Sequence, residues 1–290
     1  MTIQKFLDPK NDVAFKKIFG TEKNKDILIR FLNDMILFKE GKPIVEVSFL
    51  KTIQDPDISS KKTSIVDILC TDQDHNTYVV EMQASGHKGF EKRAQYYAAK
   101  AYSNQMNVGG IYENLKEIIF VAIANFVMFP DKIAYKSDHV ILDKETKEHN
   151  LKDFSFTFLE LGKFNKTKDE LFSQIEKWAY FFKYAPETTP EELKILIEHN
   201  PTFKRAYEEL DRFYWTEEEL FAYEDALKKD WDYVASMNQK FDEGKAEGKA
   251  ERDIEIAQTM IQEGLSIEKI QKMTGLSIEI IQEQINKRES

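Results

Sequence analysis

With 290 residues, 42% hydrophobic and 12% aromatic content, the chain has apolar side chains for one core domain of about 150 residues plus a second region, and its composition excludes disorder. A formal net charge of −10, from 51 acids against 41 bases, marks no overall phosphate-binding surface, although nucleic-acid contact needs only a local basic patch and much of the acid lies in the C-terminal half. No apolar run approaches the roughly 18 residues of a membrane span, the opening Met-Thr-Ile-Gln-Lys-Phe is no signal peptide, and the single cysteine, Cys70, excludes an internal disulfide framework, so a cytoplasmic protein is expected.

Residues 1–10 read as an irregular lead-in. A helical spacing begins at Asn11 or Asp12 with Val13, Phe15, Ile18 and Phe19, then Ile27, Leu28, Phe31, Leu32 and Met35, and Gly20 divides it into two helices. Asp12 suits an N-cap better than a metal ligand, and Lys16 and Lys17 follow one turn on. From Pro43, residues 44–51 read as a strand and 54–62, with Asp-Pro and Ser-Ser, as a loop.

Ser64 to Gln83 holds two β-branched, apolar runs joined by the polar turn 72–76, the signal of an antiparallel hairpin. If Thr71 pairs with Thr77, counting back by twos sets Asp67 opposite Glu81; the strand period puts Glu81 and Gln83 on one face, so the three polar side chains converge. Opposed like charges destabilise a sheet. Ile65, Leu69 and Val79 share that face, and acids set among apolar neighbours are rarely left without a partner. From the residues alone two readings stand: the solvent face of an ordinary hairpin, or acids offset by a divalent cation with oxygen ligands. Cys70, in the same strand, reads as core.

After Gln83, Ala-Ser-Gly-His-Lys-Gly reads as a flexible segment before a helix from Phe90 to Gln105, with Arg93, Tyr96, Tyr97 and Lys100 on one face. Such a basic and aromatic stripe either packs at a boundary or grips phosphates. Gly109 and Gly110 mark a turn before 118–126, apolar except for Asn125 and hence central in the sheet; 154–161 reads as one more strand.

Beyond about residue 165 helix predominates. The cluster Trp178, Ala179, Tyr180, Phe181 and Phe182 must be buried, most simply against the preceding core. Thr216 caps a long helix running through Tyr233. Residues 243–252 repeat every four positions, and each glycine there costs a helix about 1 kcal/mol, which reads as a solvated, bendable helical linker. Three apolar-periodic segments follow, 254–261, 267–273 and 278–285, with Gly264 and Gly275 at helix ends and Ser266 and Ser277 at helix starts, the spacing of a helix-turn-helix. Its second helix is expected to turn Glu279, Gln282, Glu283 and Gln284 outward, a poor phosphate surface, so a protein-binding or structural trihelix stands beside a DNA reader. The five histidines lack metal-ligand spacing, and no P-loop, nucleophile elbow or dinucleotide fingerprint occurs.

The order helix, strand, strand, strand, helix, strand, with Asn-Asp-Val-Ala-Phe-Lys-Lys-Ile-Phe-Gly at 11–20, Val66-Asp67-Ile68, Val80-Glu81-Met82-Gln83 and Lys92-Arg93-Ala94-Gln95-Tyr96-Tyr97, resembles the PD-(D/E)XK nuclease superfamily and, within it, the transposase-like, recombination-promoting nucleases. The likeness extends more loosely through most of the chain, and its specificity lies in the combination of the Asp-Xaa-Xaa-Phe-Lys entry, the hairpin acids and the Arg-Xaa-Xaa-Tyr-Tyr helix. It departs from the pattern at Val66, where a proline is usual, and at Gln83, where lysine is usual; glutamine is common there in this branch, yet it leaves out the lysine cation.

The resemblance implies an α/β, restriction-endonuclease-like core (α-β-β-β-α-β, a mixed sheet flanked by helices) over 1–165, a helical extension packed on it over 166–242, and a charged helical linker with a helix-turn-helix-like segment over 243–290. It also implies a metal-dependent DNA endonuclease, with Mg²⁺ or Mn²⁺ held by Asp67 and Glu81 and with Gln83 positioning the attacking water through its amide. Lys16 or Arg93 would neutralise a non-bridging oxygen, Tyr96 would line the nucleic-acid face, and Asp12 would be an outer-shell acid. The implied partner is DNA, with no membrane, and double-strand cutting would call for two sites and hence a homodimer or higher homo-oligomer. The alternative is a catalytically degenerate nuclease fold acting as a DNA- or protein-binding module, with the helix-turn-helix as its working part.

Overall fold

The computed structural model describes residues 4–36, 42–54, 64–86, 88–106, 110–198 and 200–289. Most of the expected loop at 54–62, and Gly109 of the expected turn, lie outside these residues.

The chain opens with helices α1 (Asp12–Phe19) and α2 (Lys25–Met35), whose apolar positions recur at helical spacing and are buried. Asn11, not Asp12, is the N-cap of α1: its Oδ1 accepts from the backbone N–H of Val13 at 2.9 Å and of Ala14 at 3.4 Å. Asp12 therefore falls in the first helical turn, exposed, with its carboxylate uncommitted to capping.

Among the described residues eight strands follow: β1 (Val47–Phe49), β2 (Ile53–Gln54), β3 (Ser64–Ile65), β4 (Ile68–Asp72), β5 (Thr77–Gln83), β6 (Ile118–Ala124), β7 (Lys136–Val140) and β8 (Phe154–Glu160). Six of them form one sheet in the order β1-β4-β5-β6-β8-β7, while β2 and β3 pair apart from it. The sheet is mixed: β5, β6 and β8 run parallel, and antiparallel partners lie on both sides. Helix α3 (Phe90–Ser103) is the crossover between parallel neighbours β5 and β6. Every residue of β6 is buried, as its unbroken apolar run requires of a central parallel strand.

The expected strand at 44–51 shortens to Val47–Phe49 because the side chain of Asn33 takes over at Ile44, donating to its carbonyl and accepting from its N–H, both at 2.8 Å. Strand β7 carries no strand signal in its Lys-Ser-Asp-His-Val sequence. It is an edge strand set by its partner, with Thr157 donating to Asp138 Oδ1 at 2.8 Å.

Alternation along the hairpin divides the core in two. Ile68, Cys70, Tyr78, Val80 and Met82 face the apolar side chains of α1 and α2, against which the 178–182 aromatic cluster of α4 (Gln174–Tyr184) also packs. Trp178 lies 5.3 Å from Phe31 and 4.3 Å from Phe203 of α6 (Pro201–Leu210), and its indole N–H donates to Asp34 at 2.9 Å. On the other face Leu69, Val79, Phe120 and Phe158 meet Phe90, Ala94, Ala98 and Ala101 of α3.

A short helix α5 (Pro190–Ile197) precedes α6, and α7 (Glu217–Gln262) begins at a reciprocal cap in which Thr216 and Glu219 bond each other's backbone N–H. Helix α7 runs unbroken through Gly244 and Gly248, so the long helix and the linker expected from the sequence are one element. Two glycine costs of about 1 kcal/mol each are small beside the cooperativity of a 46-residue helix.

The chain divides into two compact units between Leu227 and Lys228. In the second, the end of α7 joins α8 (Ile267–Thr274) and α9 (Ile278–Glu289) around Ala257, Met260, Ile270 and Ile281. Gly264 and Gly275 end their helices at φ 77° and 74°, where a side chain would be strained. Gln284 does not face outward: it is buried and accepts from the Gln258 side chain at 2.8 Å. Among the described residues no helix is long and apolar enough to cross a membrane.

Candidate active site

The hairpin register is the expected one, with Thr71 opposite Thr77 and Ile68 opposite Val80. The backbone ladder stops there, one residue short of the Asp67 and Glu81 pair. Past Ile68 the chain leaves the sheet and Ser64–Ile65 pairs with β2 instead, which is why Ile65 is 58% exposed rather than part of the apolar face.

At the ladder's end the two acids replace the missing backbone pair with crossed side-chain bonds. Glu81 Oε1 accepts from the Asp67 N–H at 3.2 Å, and Asp67 Oδ2 accepts from the Met82 N–H at 2.9 Å. Glu81 is 5% exposed, and Asp67 is half-buried. Neither N–H donor leaves a trace in the sequence, since every residue but proline supplies one.

Burial pushes the Glu81 carboxyl up to about 8, with the Asp67 charge adding to the effect. Asp67 is likewise raised, by burial first and then by the charge of Asp12. Lys16, projecting from α1, places its ammonium 3.3 Å from Asp67 Oδ1 and 3.7 Å from Asp12 Oδ2. Burial alone would lower its affinity for a proton, but Asp67 and Asp12 more than reverse that.

Gln83 sits two residues along β5 on the same face as Glu81. Its Oε1 accepts from Arg93 Nη2, and its Nε2 donates to the Ser85 carbonyl at 2.9 Å. The small side chains of Ala94, Ala98 and Ala101 form the buried stripe of α3, and Arg93 projects from its flank toward Gln83. Its guanidinium lies over the rings of Phe90, at 4.8 Å, and Tyr97, at 5.9 Å. Thus Asp12, Lys16, Asp67, Glu81, Gln83 and Arg93 gather in one place. Tyr96 stands outside this group, 48% exposed with its ring 6.1 Å from that of Tyr97. The Tyr97 ring is the contact that the helical spacing of Arg93 and Tyr97 foreshadows, whereas the Ser85 carbonyl is an orienting contact that strand and helix periodicities do not reveal.

Among the described residues no three carboxylate, imidazole or thiol groups gather closely enough to cage a metal ion. The Asp67 and Glu81 pair offers hard oxygens from two side chains, and burial is the first cause of the raised proton affinity of both.

A mixed six-stranded sheet flanked by helices, with one acid at the start of a hairpin and a second across from it on a central strand, defines a restriction-endonuclease-like nuclease fold. The family model described as PD-(D/E)XK nuclease family transposase matches residues 9–240, and the chain belongs to that family. A second model, described as the C-terminal HTH domain of the Rpn/YhgA-like nuclease family, matches residues 250–283, the region of the trihelix. No curated protein and no solved structure matches the chain.

Proposed function

We propose that the chain is a metal-dependent DNA endonuclease of the transposase-like, recombination-promoting kind, hydrolysing phosphodiester bonds at the Asp67 and Glu81 pair. The observation that carries this reading is the pair itself: one buried and one half-buried carboxylate, fixed by crossed amide bonds and both resisting ionisation, with a lysine beside one and an arginine near the other. Satisfying two backbone N–H groups at the end of a hairpin needs no carboxylate charge, so the charges themselves support a cation or phosphate site.

Mg²⁺ is commonly bound through one or two carboxylates while waters and substrate phosphates complete its shell. Two hard-oxygen acids fit that pattern, and Mn²⁺ accepts the same donors. The ion held by Asp67 and Glu81 would supply a nucleophilic water and relief of charge on the phosphate. The chain's own residues do the rest. The Asp67 and Met82 N–H groups hold the two carboxylates in one orientation. Lys16, anchored by Asp12, lies where its ammonium would meet a non-bridging phosphate oxygen. DNA approaches along the exposed side of α3 that carries Tyr96, and the C-terminal helix-turn-helix adds contacts of its own.

Nicking of supercoiled plasmid with and without Mg²⁺ tests this, comparing the intact chain with Asp67→Ala and Glu81→Ala. The expected result is metal-dependent nicking that both substitutions abolish. A second reading, a degenerate nuclease fold that only binds, is favoured by one contact: Lys16 already neutralises Asp67 internally at 3.3 Å. An inert intact chain that also takes up no Mg²⁺ by calorimetry would select that reading.

A further inference from the structure

The amide of Gln83 has one orientation available to it. Arg93 is a donor only, so the group facing it must be Oε1, and the Ser85 carbonyl is an acceptor only, so the group facing it must be Nε2. The two contacts agree. With Oε1 bonded to a cation and one N–H committed to Ser85, Gln83 keeps its second N–H as a donor.

Arg93 has its own donor to spare. Its Nε is buried and has no hydrogen-bond partner among the described residues, while Nη2 is used on Gln83. A buried N–H without an acceptor in the protein is rare in a folded chain, and such groups concentrate at sites that hold water, ions or substrate. The guanidinium is held between two aromatic rings and carries a permanent charge close enough to Glu81 to favour its ionised form.

We infer that Arg93 and Gln83 form one composite donor in which Arg93 fixes the glutamine amide with its N–H outward and lends it positive charge. Resting on the endonuclease reading above, this assigns Gln83 to an anionic phosphate oxygen rather than to the attacking water. It makes Arg93 the positioning residue that supplies what a lysine at position 83 would supply directly.

Two measurements test the pair. The first needs no cleavage: the side-chain ¹⁵N amide signals of Gln83, identified by their loss in Gln83→Glu, are followed in metal-free protein. Arg93→Lys and Arg93→Gln are expected to shift them and to speed their hydrogen exchange; unmoved signals overturn the inference. The second is plasmid cleavage with Mg²⁺. Arg93→Gln is expected to lower kcat by about 100-fold with little change in KM, the size of effect seen when one charge-stabilising donor is lost. Gln83→Lys alone sets an ammonium against the guanidinium and is also impaired, whereas Gln83→Lys combined with Arg93→Gln recovers kcat to within about tenfold of the unaltered chain. Additive losses in the double variant overturn the composite donor, because a merely structural arginine is not rescued by a lysine elsewhere. An unaltered chain that cuts nothing while its Gln83 signals do respond to Arg93 sinks the endonuclease reading and leaves the contact intact.

Discussion

Replacing Glu81 by glutamine should make the metal-free protein more stable in alkaline solution. The carboxyl rises from an ordinary 4.5 to about 8 in the fold, first through burial and then through Asp67. At 1.36 kcal/mol per pH unit that displacement corresponds to roughly 5 kcal/mol. The sign follows from proton uptake: the folded chain binds this proton more tightly than the unfolded one. The group's contribution is therefore complete below 4.5, declines as pH rises, and is lost above about 8. Glutamine keeps the acceptor for the Asp67 N–H and carries no charge, so it escapes the decline. Because Asp67 shares the repulsion and the site can relax, we expect roughly half the full figure, about 2 to 3 kcal/mol at pH 9, or about 5 to 10 °C in Tm for a unit of this size. At pH 5 the difference should nearly vanish. Thermal melts by circular dichroism in EDTA, from pH 5 to 9, measure it directly. A gain that does not change with pH, or a glutamine variant less stable than the parent at pH 9, would refute the claim that Glu81 ionises against its surroundings.

Adding Mg²⁺ at pH 8 should raise the Tm of the intact chain and leave those of Glu81→Gln and Asp67→Ala unchanged, since a ligand stabilises only the fold that holds it. Trp178→Ala removes a fully buried indole and its bond to Asp34, and should cost about 3 to 5 kcal/mol in urea unfolding of the first unit. Asn11→Ala should cost about 1 to 2 kcal/mol through the lost cap, whereas Asp12→Ala should cost less than about 0.5 kcal/mol and lower the proton affinity of Lys16, measurable by NMR titration. Gly275→Ala, forced to positive φ, should lower the stability of the C-terminal unit by about 1 kcal/mol.

The hairpin was legible because strand alternation is a strict rule: fixing Thr71 opposite Thr77 places Asp67, Glu81 and Gln83 together with no further information. The central strand at 118–124 was legible for the same kind of reason, an unbroken apolar run. What escaped was decided across elements. Strand β7 is polar and exists because β8 offers a free edge. Gln284 turns inward because Gln258, on another helix, meets it. The choice between Asn11 and Asp12 as cap rests on one residue of phase, which periodicity does not resolve. The grip of Arg93 on Gln83 depends on how closely α3 lies on the sheet, a distance set by three alanines whose meaning appears only once the helix has a surface to cover.

The two-sided character of β5 also governs which changes in chain length the protein can absorb. Along 77–83 the odd positions after Thr77 include the candidate-site side chains Glu81 and Gln83 and the even ones fill the larger core, so Glu81 and Met82 are neighbours in sequence with opposite obligations. Inserting or deleting one residue there would exchange the two roles over the rest of the strand, carrying an acid into the aromatic core and a thioether onto the face of the candidate site. A change of two residues would preserve the parity. Single-residue length variation in this hairpin is therefore best absorbed in the turn around Gln73–His75, where the chain can grow without altering which side chains share a face with Glu81.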